Sequence, residues 1–265
     1  MDASDKIRAM FGFGPKLPVT EEERVWVDEG FRRLSKMLGS SRLQNATVIL
    51  PTDEFFPDPW DSSKAAITAL FRRVCRYTGV NPDKVELEII PDTSELLEML
   101  PAYSMNKQNG LAGLHFGGNS EERPLVALRQ SLLKDPLAAV ATLAHELSHV
   151  ILLDGGHLQR EDEEMEPLTD LTTVYLGLGV FSANASRNFR KFQNDRLEGW
   201  SMSRLGYLPE MVFGYSLARF AHERGERKPA WSTHLSTNLS AWFRQSEKWL
   251  IQNSPQPENA GIYRQ

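Results

Sequence analysis

A chain of 265 residues, 41% hydrophobic and 25% charged, has ordinary globular composition and enough length for one large domain or two small ones. A net charge of −5 and a pI near 5.8, with no long basic run, exclude the electrostatic footprint of a nucleic-acid binder. The single cysteine, Cys75, excludes an internal disulfide and a cysteine-based zinc finger and reads as a small core residue; no apolar run approaches 18 residues, so the chain is expected to be soluble and cytoplasmic, with no membrane partner.

Near the N-terminus, Thr20 followed three residues later by Glu23 is a capping-box signature, which predicts a helix over 21–38 stopped by Gly39. "ATVILP" (46–51) reads as a short buried strand ended by proline. The aromatic, proline-rich "DEFFPDPWD" reads as a loop whose rings cover a core edge. A helix over 62–78 follows, then "KVELEIIP" (84–91), which alternates like a half-buried strand, and "TSELLEMLP", a short helix. "LAGLHF" (111–116) and "PLVALRQ" (124–130), separated by the glycine-bearing "GGNSEER", predict a hairpin. Asp135 as N-cap, Pro136 at the first helical position and Gly155–Gly156 as a stop mark out a helix over 136–153. After the acidic, exposed loop "HLQREDEEM" comes a second apolar helix over 166–184, with Pro167 so early that its missing N–H costs little. "PEMVFGYSLARFAHERG" and "LSAWFRQSEKWLIQ" are helical in pattern, and the tail from Asn253 is polar and proline-rich. The expected organisation is an α/β region over 1–108, a second region over 109–252 with a helical C-terminal part, and a tail over 253–265.

The helix over 136–153 is apolar on nearly every side, as a helix inside a core must be. Thr142, His145, Glu146 and His149 interrupt it at i, i+3, i+4 and i+7 and so share one narrow stripe. A buried glutamate beside two histidines calls for a compensating positive centre. Histidines four residues apart on a helix point the same way and can reach one metal ion at about 2.0 Å, with Glu146 alongside. In that HExxH arrangement zinc lowers the pKa of its water to about 7 and the glutamate takes the proton.

Downstream, "EPLTD" places a glutamate at 166 and an aspartate at 170 on the next predicted helix. Over about 136–184 the chain resembles the gluzincin metallopeptidases, such as the thermolysin-like and neprilysin-like families, in which HExxH on one helix is completed by ExxxD on the next. The resemblance implies His145, His149 and Glu166 as zinc ligands, Glu146 as general base and Asp170 as the acceptor that orients His145. It also implies an α+β, zincin-like fold: a small N-terminal α/β layer and an edge-strand hairpin packed on the active-site helix, then a mostly helical part. Pro167 and the 17-residue step from His149 to Glu166 depart from the family pattern.

Other residues compete for roles. His157 reaches a metal only if the turn after the helix folds back, and otherwise is a loop histidine; Glu163 and Glu164 are rival carboxylates in a solvated acidic loop. "PLVALRQ" is the candidate edge strand along which a peptide substrate would lie, or else an ordinary core strand. Among Tyr207, Tyr215, His222 and His234, Tyr215 is selected to face the oxyanion, against the plainer reading of a buried core tyrosine. The expected function is hydrolysis of a peptide or protein substrate. Two alternatives stand beside it: a catalytically silent module that binds a peptide or protein partner, and a regulatory protein that cleaves one specific partner.

Overall fold

The computed structural model describes residues 16–92, 113–116, 123–190 and 208–253, with side chains omitted at 113–116 and 187–190. The short helix expected from "TSELLEMLP", Tyr207 and the tail beyond Asn253 lie outside these residues. Helix α1 (Glu21–Leu38) starts at the expected capping box: Glu23 N donates to Thr20 Oγ1 at 3.2 Å and Thr20 N to Glu23 Oε2 at 2.6 Å. A short α2 (Ser40–Gln44) follows, then α3 (Lys64–Thr78), capped by Ser63 at its start and by left-handed Gly79 at its end.

Among the described residues, three strands form one small mixed sheet in the order β1-β3-β2. Strand β3 (Leu125–Arg129) pairs parallel with β1 (Glu86–Ile90) and antiparallel with β2 (Gly113–Phe116). The antiparallel β2–β3 pairing expected from the sequence is therefore present. The edge assignment is corrected: "PLVALRQ" supplies the central strand, with its backbone taken up on both sides and Val126, Ala127 and Leu128 buried. "ATVILP" is corrected too, because residues 46–50 form no strand among the described residues; Ile49 N donates to Gly177 O at 2.9 Å, so the partner is a turn rather than a strand.

Helix α4 (Pro136–His149) begins as expected, with Ala138 N donating to Asp135 Oδ1 at 3.0 Å, and runs on into a π-helical turn over Val150–Asp154. It packs against α3, β2, β3 and the two helices that follow it. Pro136–Asp154 is long and apolar enough to cross a membrane, but 67% of its most apolar window is buried inside the protein, the condition of a core helix. The apolar segment over 166–184 is not one helix. Helix α5 (Met165–Tyr175) ends at a turn through Gly177, and α6 (Gly179–Arg190) starts afresh. Gly177 sits at φ +88°, where a Cβ would also meet Thr47 O at 2.3 Å, so only glycine fits this corner. Helices α7 (Glu210–Glu223) and α8 (Thr237–Asn253) follow and pack against each other.

Among the described residues the interior holds two apolar clusters. One joins Phe31 and Leu34 of α1, Leu168 and Leu171 of α5, Phe213 and Phe220 of α7 and Phe243 of α8. The other joins Phe71 and Val74 of α3, Val126 and Leu128 of β3, and Leu143 and Leu147 of α4. Each draws on residues from both sides of position 108, so the compositional boundary there does not divide the core. Helices α4 and α5 belong to different clusters and meet at the seam between them, which is where the polar stripe of α4 faces.

Candidate metal centre

Helix α4 delivers His145 and His149 one turn apart on the side that faces α5. Their side chains are 8% and 7% exposed, and their rings meet nearly at right angles, 85° between planes. Helix α5 delivers Glu166 as its second residue, and Pro167 costs the helix nothing because the first turn's N–H groups have no partner within a helix. The Glu166 side chain keeps 35% of its surface exposed, so the cluster opens to solvent on that side.

The three donor atoms converge. Glu166 Oε2 lies 3.0 Å from His145 Nε2 and 3.4 Å from His149 Nε2, and the two imidazole nitrogens are 3.1 Å apart. Donors bound at about 2.0 to 2.1 Å around one tetrahedral ion stand about 3.3 Å from each other, so the observed triangle is close to one face of such a shell. His145, His149 and Glu166 thus form a group that could hold a metal ion.

Each imidazole is fixed from behind. His145 Nδ1 is 2.8 Å from Asp170 Oδ1, and the other carboxylate oxygen, Oδ2, accepts from Leu208 N at 2.8 Å. Asp170 is 4% exposed, so its orientation is set by these two bonds. His149 Nδ1 lies 3.2 Å from Thr169 Oγ1. Such partners set which ring nitrogen carries the proton and which way the ring points.

In the protein alone this cluster behaves as a proton trap. Burial works to lower the His145 pKa, yet hydrogen bonds donated to Asp170 and Glu166 outweigh it and raise it well above the ordinary imidazole value. Burial would raise Glu166 as well, but the charge and hydrogen bonds of His149 and His145 hold it well below the usual carboxylate range. Asp170 is raised by burial, with its bond to His145 acting against the shift. Glu146 is 3% exposed, and its carboxyl is pushed up to about 8, chiefly by burial, with the charge of His145 opposing and that of Glu166 adding. Three carboxylates around two imidazoles attract positive charge, either protons or a cation.

Comparison with protein-family models, with curated protein sequences and with solved structures finds no match. The site is therefore read from its own geometry.

The remaining sequence candidates lie elsewhere. Tyr215, the residue selected for the oxyanion, is fully buried and donates to Asp28 Oδ1 at 2.9 Å; Arg24 and Arg219 pair with the same carboxylate, so the hydroxyl belongs to a structural network between α1 and α7. His157 follows the π turn, with its N–H on Leu152 O at 2.8 Å, and is not in the donor group. His222 is buried in α7, and His234 closes a 3-10 turn where its carbonyl accepts from Asn184 Nδ2; neither joins the donor group. Glu163 is exposed. Glu164 is held by Trp26 Nε1 at 2.7 Å and by the Arg33 guanidinium, which ties α1 to the start of the ligand helix. Sequence reasoning missed this clamp, which spans more than 130 residues. It also missed Thr169, although the i, i+3, i+4 spacing of Glu166, Thr169 and Asp170 places all three on one face of α5.

Proposed function

We propose that this protein is a zinc-dependent hydrolase of gluzincin type that cleaves peptide bonds, with His145, His149 and Glu166 as ligands, Asp170 orienting His145 and Glu146 as general base. The observation that carries the reading is the triangle of two imidazole nitrogens and one carboxylate oxygen, 3.0, 3.1 and 3.4 Å on its sides, presented by two consecutive helices. Two imidazoles and one carboxylate are a donor set suited to zinc, and three protein ligands leave a fourth position for substrate or water, the mark of catalytic rather than structural sites. Bound zinc would supply Lewis acidity toward a carbonyl oxygen and acidify water.

The chain's own residues do the rest. Asp170 and the Leu208 N–H hold His145 in one orientation, so the site is organised before substrate arrives. Glu146, next to His145 in sequence and outside the ligand triangle, takes a proton from the attacking water and returns it to the leaving amine. Burial removes Glu146 from competing solvent. The exposed side of Glu166 is the approach for substrate, since the histidine faces are closed by the core.

Glu146→Gln keeps the shape of the site and removes its proton acceptor. Zinc should stay bound while hydrolysis of a broad mixture of peptides and lysate proteins, read by mass spectrometry, falls about 100-fold or more. Wild-type cleavage lost on chelation and in Glu146→Gln establishes the enzyme. Zinc held equally by both proteins, with neither cutting anything and both retaining the same partner in a pull-down, would replace the peptidase by a silent binding module.

A further inference from the structure

The two histidines are held by different chemistry on the same face of α5. His145 has a carboxylate behind it, whereas His149 has a neutral hydroxyl, and the hydroxyl leaves less freedom than it first suggests. Thr169 Oγ1 is 2.8 Å from the carbonyl oxygen of Met165, four residues back along the helix, as well as 3.2 Å from His149 Nδ1. A threonine hydroxyl carries one hydrogen, and a carbonyl oxygen only accepts. The hydrogen therefore goes to Met165 O, and Oγ1 meets His149 with a lone pair. His149 Nδ1 must then be the donor, so that in the neutral ring Nε2 carries the lone pair, facing His145 Nε2 and Glu166 Oε2.

We propose that Thr169 is a positioning residue that holds His149 in its Nδ1–H tautomer and thereby presents Nε2 as a ligand atom. The inference rests on the reading of His149 as a metal ligand. The bond to Met165 O is part of the device, because it selects one of the two helix rotamers open to threonine and so aims the oxygen at the ring. Thr169 is fully buried, so no solvent competes for that oxygen. Glu166, Thr169 and Asp170 together make α5 the source of one ligand and of an acceptor for each imidazole.

The test compares Thr169→Val, which keeps the shape and removes the hydroxyl, with Thr169→Ser, which keeps the hydroxyl; Thr169→Ala takes the place of valine if valine does not pack. Long-range proton–nitrogen NMR of the metal-stripped full chain, at a pH where both rings are neutral, reads the tautomer of His149. Wild type and Thr169→Ser should show the Nδ1–H form, and Thr169→Val a mixture or the other form. Chelator competition should show zinc bound about 10-fold more weakly by Thr169→Val and within about 2-fold of wild type by Thr169→Ser. An unchanged tautomer and an unchanged zinc affinity in a cooperatively folded Thr169→Val would overturn the proposal. If wild type holds no zinc at all but the tautomer still follows the hydroxyl, the metal reading fails and the orienting role of Thr169 stands. Normal zinc binding with a tautomer indifferent to the hydroxyl refutes the role of Thr169 and leaves the metal reading intact.

Discussion

Among the described residues, a half-buried polar cluster and a buried one are built on opposite plans. Between α1 and α7, Asp28 is enclosed by Arg24 at 2.6 Å, Arg219 at 3.5 Å and the Tyr215 hydroxyl at 2.9 Å, so each charge meets an opposite one and the network closes on itself. Between α4 and α5, His145, His149 and Glu166 converge on a shared point instead, while Glu146 and Asp170 add further acidic groups. Partial or full burial of ionisable groups is common to both and identifies neither. What separates them is the grouping of the donor atoms: in the first, Asp28 is matched by basic groups and a hydroxyl, whereas in the second two imidazole nitrogens and a carboxylate oxygen all stand within 3.4 Å of one another, as donors to one ion would.

The largest effect expected from this difference is in metal content. Purified wild type should carry close to one zinc per chain by elemental analysis, and His145→Ala with His149→Ala should carry none. Arg219→Met, which opens the other cluster, should lose stability and keep its zinc. Equal zinc in the wild type and the double-histidine variant would erase the distinction.

The pH dependence of zinc binding sharpens the contrast. The His145 pKa is raised in the protein alone, so the ring holds a proton that a metal ion must displace. Affinity should therefore rise with pH, by about tenfold per unit for each proton released between about pH 6 and 8, and fall as acid returns the proton. A flat affinity over that interval, measured by competition with a chelator of known proton affinity, would mean that His145 is neutral before the ion arrives. No comparable response is expected of the other cluster, where Arg24 has its pKa raised, first by its hydrogen bond to Glu21, and stays charged throughout.

The smallest effect separates structure from chemistry at Tyr215. Removing its hydroxyl in Tyr215→Phe takes one hydrogen bond from a half-buried carboxylate, a loss of about 1 to 2 kcal/mol in denaturant unfolding, with zinc content and any hydrolysis unchanged. A stable Tyr215→Phe that had lost activity would return Tyr215 to the reaction.

The sequence by itself determined whatever depends on neighbours along one helix. Asp135 and Pro136 set the start of α4, and the 3.6-residue repeat aligned His145 with His149 and Glu166 with Asp170, because side-chain direction in a helix follows from residue number alone. The tertiary structure decided everything that needed a partner far away. "PLVALRQ" is central rather than an edge because β1, nearly 40 residues earlier, occupies its other side, and strand order leaves no local trace. "ATVILP" joins no sheet among the described residues, and the helix expected over 166–184 breaks, for a single reason: the turn at Gly177 and the segment at Thr47–Ile49 need each other, at a distance no apolar pattern records. Tyr215 looked toward the reaction in sequence and turns toward Asp28 in space, since an apolar helix does not say which of its faces meets a charge. Thr169 was aligned with Glu166 and Asp170 by spacing, but its role depends on the lone pair left once Met165 O has taken its hydrogen, and that is decided by the rotamer and by where α4 lies.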